Sequence, residues 1–413
     1  MTRVVVTGVG AVTPLGNDAH SSWQAMLAGR SGVGYPTLFD AAAYGPTVVG
    51  EVKDFHPESV LPVKEIRHMD RYAQFSCVAA LEALRDAELD FSRGLGPSCG
   101  VIFGAGSGGY NLVNDYAATL TSDRATRRIS PFFLANILPD AASGHIAMLT
   151  GAMGPNMAVI SACATGASAI GESAEIIKRG DAEIMIAGGA EAPLTPLLYG
   201  AFAGLRAIAA PWEEDPPSTC KPFDLRRDGF VVAEGAGAVV LESYEHAKAR
   251  GAHVYAELIG YGASNDAYDM VASEESGRGP VLAGEMALRK AAIDPERIAY
   301  VNAHGTGTQL NDRVETRALK RLFGDHAYKL AVSATKSMTG HMMGAAGAVE
   351  AIASIMALSE GVVPPTMNYK VADPECDLDY VPNVARDMRN LEVAMTSSIG
   401  LGGHNAVLIF QRV

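Results

Sequence analysis

The residue with the clearest chemical potential is Cys163, set in Val159-Ile160-Ser161-Ala162-Cys163-Ala164-Thr165-Gly166, where an apolar stretch passes through small residues into a segment of helical periodicity. A thiol at a helix N-terminus meets the positive end of the helix dipole, which favours thiolate and lowers a pKa that is about 8.5 in a free cysteine. The N–H groups of such a turn can also hold an oxyanion, so the geometry suits a nucleophile in acyl transfer. Cys77, Cys99, Cys220 and Cys376 are scattered, with no C-x-x-C spacing, and read as inert buried thiols. An odd, dispersed set of five disfavours both a disulfide framework and a structural zinc site.

Two histidines lie in comparable settings. His304 follows the apolar run Tyr300-Val301-Asn302-Ala303 and opens a loop of glycines and hydroxyls containing Thr306 and Thr308. That is where α/β proteins place ligands. His341 follows Lys336-Ser337-Met338-Thr339-Gly340 and opens a helix packed through Gly344, Ala345, Ala346 and Gly347. A histidine there is pushed toward its neutral form, which suits a hydrogen-bond donor. Lys336 stands between an apolar strand and a glycine turn, and Glu350, inside an Ala/Val/Ile-rich helix, is its natural buried partner. The cluster Ser397 to Asn405, with Gly400, Leu401 and Gly402, can bring backbone N–H groups against a ligand. Neither a P-loop nor a dinucleotide fingerprint is present in the required context.

Positioning these residues needs strands that end in glycine turns. Strands are predicted over 4–7, 100–103, 158–161, 183–187, 255–259, 299–302, 330–333 and 406–410, as continuous apolar runs alternating with helices, which is an α/β grammar. The spacing predicts a helix over 165–178, closed by Gly180, with another short one over 242–251. Segments 210–217 and 273–279 read as surface loops. Near residue 250 the strand-then-glycine pattern of the N-terminus begins again, which predicts two halves of related design, 1–250 with the cysteine and 251–413 with the histidines.

Composition narrows the function. With 48% hydrophobic and 19% charged residues the chain is not a disordered one. A net charge of −13 opposes nucleic-acid binding. The apolar window 345–358 is interrupted by Gly347, Glu350 and Ser354, so no membrane span is expected. The N-terminus lacks a signal-peptide pattern, which predicts a cytosolic protein.

Together, Ser-Ala-Cys163-Ala-Thr-Gly, Ala-His304-Gly-Thr-Gly-Thr, Thr-Lys336-Ser-Met-Thr-Gly-His341 and Gly-Leu401-Gly-Gly-His-Asn resemble the β-ketoacyl-acyl carrier protein synthases, the type II enzyme most closely, over nearly the whole chain. The resemblance implies a thiolase-like fold, a five-layer α-β-α-β-α body of two duplicated halves that forms a homodimer. It also implies decarboxylative Claisen condensation in fatty acid biosynthesis, with no cofactor beyond the phosphopantetheine arm of acyl carrier protein. Cys163 would carry the acyl chain, His304 and His341 would assist decarboxylation of malonyl-carrier protein, and Lys336 and Glu350 would support them. The N–H groups of Cys163 and Leu401 would form the oxyanion hole, with Leu401 and Gly400 at the gate. Ser107, Phe202, Thr306, Thr308 and Gly402 would contact substrate, and Lys64, Arg67, Arg71 and Arg206 would dock the acidic carrier. The family usually has Phe at Leu401, a larger aliphatic residue at Ser107, and His, Thr and Ser where this chain has Asp269, Val271 and Ala272. A ketosynthase of a type II polyketide or other specialised pathway is therefore the alternative. Thiolases, which are expected to present a second catalytic Cys and not His341, chalcone-type synthases, which use Asn for the second His, and chain-length factors, which lack the nucleophile, fit less well.

Overall fold

A computed structural model describes residues 2–45, 47–123, 129–212 and 215–413. Its main sheet consists of two five-stranded leaves. The first contains β1 (Val4–Val12), β2 (Cys99–Gly104), β3 (Asn156–Met157), β4 (Ile184–Glu191) and β5 (Gly235–Ser243), in the order β1-β5-β4-β2-β3. The second contains β6 (Ala256–Asn265), β7 (Tyr300–Asn302), β8 (Ala331–Ser333), β9 (Val393–Gly400) and β10 (His404–Gln411), in the order β6-β10-β9-β7-β8. Strand for strand, the second leaf repeats the order of the first. It repeats the sense of every pairing as well, parallel at the outer edge and antiparallel toward the centre. The leaves meet where β1 pairs antiparallel with β6, Val5 opposite Glu257 and Val6 opposite Ala256.

Helices α1 (Arg71–Asp86) and α2 (Ala141–Thr150) cover the outer face of the first leaf. Between the leaves lie α3 (Thr165–Arg179) and the later α6 (Ala346–Glu360), while α4 (Arg278–Ala291), backed by α5 (Gln309–Phe323), covers the outer face of the second leaf. The result is the thiolase-like five-layer arrangement. The two central helices touch through matched glycines: a Cβ on Gly166 would lie 2.6 Å from the Ala348 nitrogen, and one on Gly347 would lie 2.8 Å from the Ala167 nitrogen. Only residues without a side chain permit that approach. The stretch Met343–Glu360 is long and apolar enough by composition to cross a membrane, yet 89% of it is buried inside the protein as this central layer.

Several expectations need correcting. The predicted strand 158–161 does not form: the strand here is Asn156–Met157, and residues 158–161 have no ladder partner. Met157 and Ile160 are exposed at this outer edge, beyond which no further strand lies among the described residues. Glu242 belongs to β5, so the short helix begins at Tyr244 and ends at Ala249. Strands β5 and β9 were absent from the sequence-based set. In the segment 210–217, residues 213 and 214 lie outside the described residues.

Candidate active site

Cys163 sits in a 3-10 turn, Ala162–Ala164, that leads directly into α3. Ala162 has φ +49°, an uncommon conformation for a residue with a side chain, costing on the order of 1 to 3 kcal/mol. Cys163, His304 and His341 line one cavity of about 270 Å³, together with Phe202, Thr306 and Leu401. Thr308, Phe230 and Gly400 line it as well. All three chemical side chains are buried, Cys163 at 9% exposure and each histidine at 2%.

The hydrogen bonds fix the state of both imidazoles. Lys336 Nζ donates to His304 Nδ1 at 3.2 Å, to His304 O at 2.6 Å and to Glu350 Oε1, which uses all three protons of the ammonium. An accepting Nδ1 leaves the proton of neutral His304 on Nε2. The Met343 N–H likewise donates to His341 Nδ1 at 3.2 Å, so this ring also presents an Nε2–H. Burial, and then the positive charge of Lys336, holds both histidines well below the usual imidazole range. The rings stand edge to face, 5.3 Å apart. Two neutral donors thus face one cavity. The neutral state of His341 matches expectation, but its cause differs: His341 bridges to Val232 and α6 begins only at Ala346, so burial and Lys336 act, not the helix end. Burial lifts the Glu350 carboxyl to about 7 against the pull of Lys336.

Cys163 itself departs from the expected thiolate. Burial pushes its thiol up to about 11, although Lys336 and a hydrogen bond from the Leu401 N–H both pull it down. Desolvation of a sulfur anion outweighs these partners, so the resting group is the thiol. The same Leu401 N–H that reaches the sulfur is one of the two expected oxyanion donors. Next to it, a Cβ on Gly400 would lie 3.1 Å from the Cys163 nitrogen, so the backbones carrying both donors are in close contact.

Other predicted residues divide. Phe202, Thr306 and Thr308 are in the cavity wall. Ser107 is not among its lining residues; its hydroxyl and its N–H, the latter at 3.0 Å, both turn to Glu191. Gly402 is also outside the lining and braces the rim instead, donating to Met270 O at 2.9 Å. Val271 and Ala272 line the cavity, held by Asp269 Oδ1, which accepts their N–H groups at 2.8 and 2.9 Å. Lys64, Arg67 and Arg206 are exposed. Arg71 is different: its guanidinium grips buried Glu234, at 2.9 and 2.7 Å, and packs over Phe75. It is a structural residue more than a free cation.

Sequence reasoning missed three buried carboxylates. Glu315 accepts the N–H groups of His304 at 2.7 Å and Gly305 at 2.8 Å, and the Ser397 hydroxyl at 2.7 Å. Asp312, one turn earlier on α5, accepts the N–H groups of Phe223 at 2.7 Å and Gly307 at 3.2 Å. Glu191 accepts from Gly106 at 2.8 Å and Gly344 at 3.1 Å as well as from Ser107. The spacing of Asp312 and Glu315, three apart on one helix face just after the His304 loop, was the available signal. Among the described residues no group of three or more His, Cys, Asp or Glu side chains is placed to hold a metal ion.

Comparison with known proteins places this geometry. Residues 1–247 match the β-ketoacyl synthase N-terminal domain and residues 255–370 its C-terminal domain. The chain is 45% identical to 3-oxoacyl-[acyl-carrier-protein] synthase 2 of Staphylococcus aureus (strain COL), over 99% of this chain and 98% of that protein. It is 46% identical to the protein of the same name from Coxiella burnetii, over 100% and 99%. Among solved structures, a type II PKS ketosynthase, bound to the hexaketide and in complex with its acyl-carrier protein, matches with TM-score 0.91 and 35% identity over the full length of both chains. A β-ketoacyl synthase from Burkholderia phymatum matches equally, TM-score 0.91 and 35% identity over both full lengths.

Proposed function

Because the chain belongs to the β-ketoacyl synthase family, we propose that its cavity carries out decarboxylative condensation of an acyl chain held on Cys163 with malonyl-acyl carrier protein, giving 3-oxoacyl-acyl carrier protein in fatty acid biosynthesis. The observation that carries this reading is the pair of neutral imidazoles, each with Nδ1 occupied, facing the same space as a buried thiol. In the first half-reaction Cys163 Sγ attacks the acyl thioester while losing its proton. The Cys163 and Leu401 N–H groups stabilise the oxyanion, and the carrier's thiol leaves with a proton. In the second, the malonyl C–C bond breaks and carbon dioxide departs. The electron pair moves onto the thioester oxygen, an enolate that the two Nε2–H groups stabilise. The α-carbon then attacks the acyl thioester and Sγ leaves.

The reading extends to the partner. The phosphopantetheine arm would pass Thr306 and Thr308, and no other cofactor is called for. The acidic carrier would rest on Lys64, Arg67 and Arg206, the last lying between cavity-lining Leu205 and Ala207. We take the chain as two halves, 1–250 and 251–413, following the repeated leaf. A homodimer is supported by the outer edge of β3, unpaired among the described residues, and by exposed Met148, Met153, Met157 and Ile160 beside it. The protein would work in the cytosol with its carrier. The test is intact mass after incubation with a panel of acyl-carrier proteins, followed by malonyl-carrier protein. An adduct on Cys163 that malonyl-carrier protein converts to 3-oxoacyl product supports the reading, and no adduct from any carrier overturns it. The rim favours a second reading in one respect: Leu401 is 38% exposed where the family has a larger gate, which fits chains that a fatty-acid enzyme handles poorly. The same panel, extended to unsaturated and branched chains, distinguishes the two pathways.

A further inference from the structure

Arg227 is buried, with 2% of its side chain exposed, and does not line the cavity. Its guanidinium forms a hub. Nη1 donates to Asp373 Oδ2 at 2.5 Å and Asp224 O at 3.1 Å, Nε to Thr308 O at 3.3 Å and Nη2 to Gln309 O at 3.2 Å, while Asp312 Oδ2 lies 3.5 Å away. The planar fork therefore clamps two consecutive carbonyls at the start of α5 and pairs with carboxylates on both sides. From that turn two links reach the site. Asp312 holds the Gly307 N–H, between the cavity-lining Thr306 and Thr308, and Glu315 holds the His304 and Gly305 N–H groups.

We propose that Arg227 is the positioning residue of the His304 loop, setting the place of that imidazole for decarboxylation without touching substrate. The inference rests on the two-histidine reading above and adds a residue to it. Cys163 belongs to a different element, the turn into α3, which the hub does not reach. Disturbing Arg227 should therefore raise KM for both carrier substrates through Thr306 and Thr308, yet lower kcat in one half-reaction only. A misplacement of about 1 Å in a catalytic group can cost on the order of 100-fold.

The experiment compares wild type, Arg227→Lys, Arg227→Met and Asp373→Asn in two assays, acyl loading of Cys163 from acyl-carrier protein and decarboxylation of malonyl-carrier protein. Rates are normalised to the number of Cys163 sites that load. For Arg227→Met the expected result is a fall of roughly 10- to 100-fold in decarboxylation kcat, with loading kcat within about threefold of wild type. Arg227→Lys, which keeps the charge but not the fork, should fall between the two. Asp373→Asn leaves the cation buried and should shift the ratio in the same direction by less, so it and the Lys variant carry the test if the Met variant does not fold. Equal losses in both half-reactions, no loss in either, or a Lys variant equal to wild type would overturn the proposal. Wild type that loads Cys163 but never decarboxylates malonyl-carrier protein removes the two-histidine reading itself, a failure seen before any variant is made.

Discussion

The turn into α3 and the turn into α6 are built alike. Each begins with a non-glycine residue of positive φ, Ala162 at +49° and Met343 at +46°, runs through a three-residue 3-10 turn, and enters a fifteen-residue helix closed by a left-handed glycine, Gly180 or Gly361. They differ at the second residue of the turn, which is Cys163 in one and Gly344 in the other. Around Cys163 the space is open cavity. Around Gly344 it is filled: a Cβ there would lie 2.7 Å from the Gly106 nitrogen and 2.8 Å from Glu191 Oε2. One architecture thus yields a nucleophile in one half and a packed brace in the other, and the contents of the adjoining space make the difference. The strained turn by itself confers no reactivity.

The sharpest way to break the comparison is to empty the reactive turn. Cys163→Ala should abolish acyl loading, lowering condensation on the order of 10,000-fold or more. Intact mass and peptide mapping check it, and an adduct that persists on another residue refutes the assignment. Next come the two histidines, His341 beside the second turn and His304 after β7. His304→Ala and His341→Ala should each lower decarboxylation roughly 100- to 1,000-fold, the cost of one lost oxyanion donor, while Cys163 still loads. Decarboxylation at the wild-type rate in both variants would rule out their role.

Filling the packed turn tests its other half. Gly344→Ala should destabilise the fold by about 1 to 3 kcal/mol, read from urea unfolding, because neither the Gly106 backbone nor the buried Glu191 can easily retreat. An unchanged midpoint would mean the brace yields. With its thiol pushed up to about 11, Cys163 should react with iodoacetamide faster as pH rises, about tenfold per unit through pH 7 to 9, since the thiolate fraction grows at that rate below the pKa. A plateau below pH 8 would show that the helix end and Lys336 outweigh burial. The smallest effect is expected at the rim, where Leu401→Phe should shift relative kcat/KM across acyl chains by no more than about 1 to 3 kcal/mol, the discrimination a hydrophobic pocket commonly supplies. Identical chain preferences in variant and wild type would remove Leu401 from specificity.

Legibility in the sequence followed chemistry that local grammar exposes. Cys163, His304, His341 and Lys336 each stand beside a strand end or glycine turn, and small residues flank them, so the eye is drawn to a polar group where packing is tight. Glu315 and Asp312 escaped because a carboxylate on an amphipathic helix looks like a solvated one until another layer is laid over it. Strand β9 escaped because its end, Ser397 to Gly400, reads as loop composition. The edge at 158–161 misled in the opposite direction, since an apolar run was read as paired backbone although the ladder with β2 ends at Met157.

The linear chain by itself determined which groups could react, the alternation of strands and helices, and the restart near residue 250, since these depend on residue type and on neighbours a few positions away. Tertiary structure alone decided the protonation of Cys163, the Nε2–H state of both histidines, the inward commitment of Arg71 and the turn of Ser107 toward Glu191. Each of these is set by desolvation or by a partner far away in sequence, such as Glu234, 163 positions after Arg71, and burial energies exist only once the layers have closed around the group.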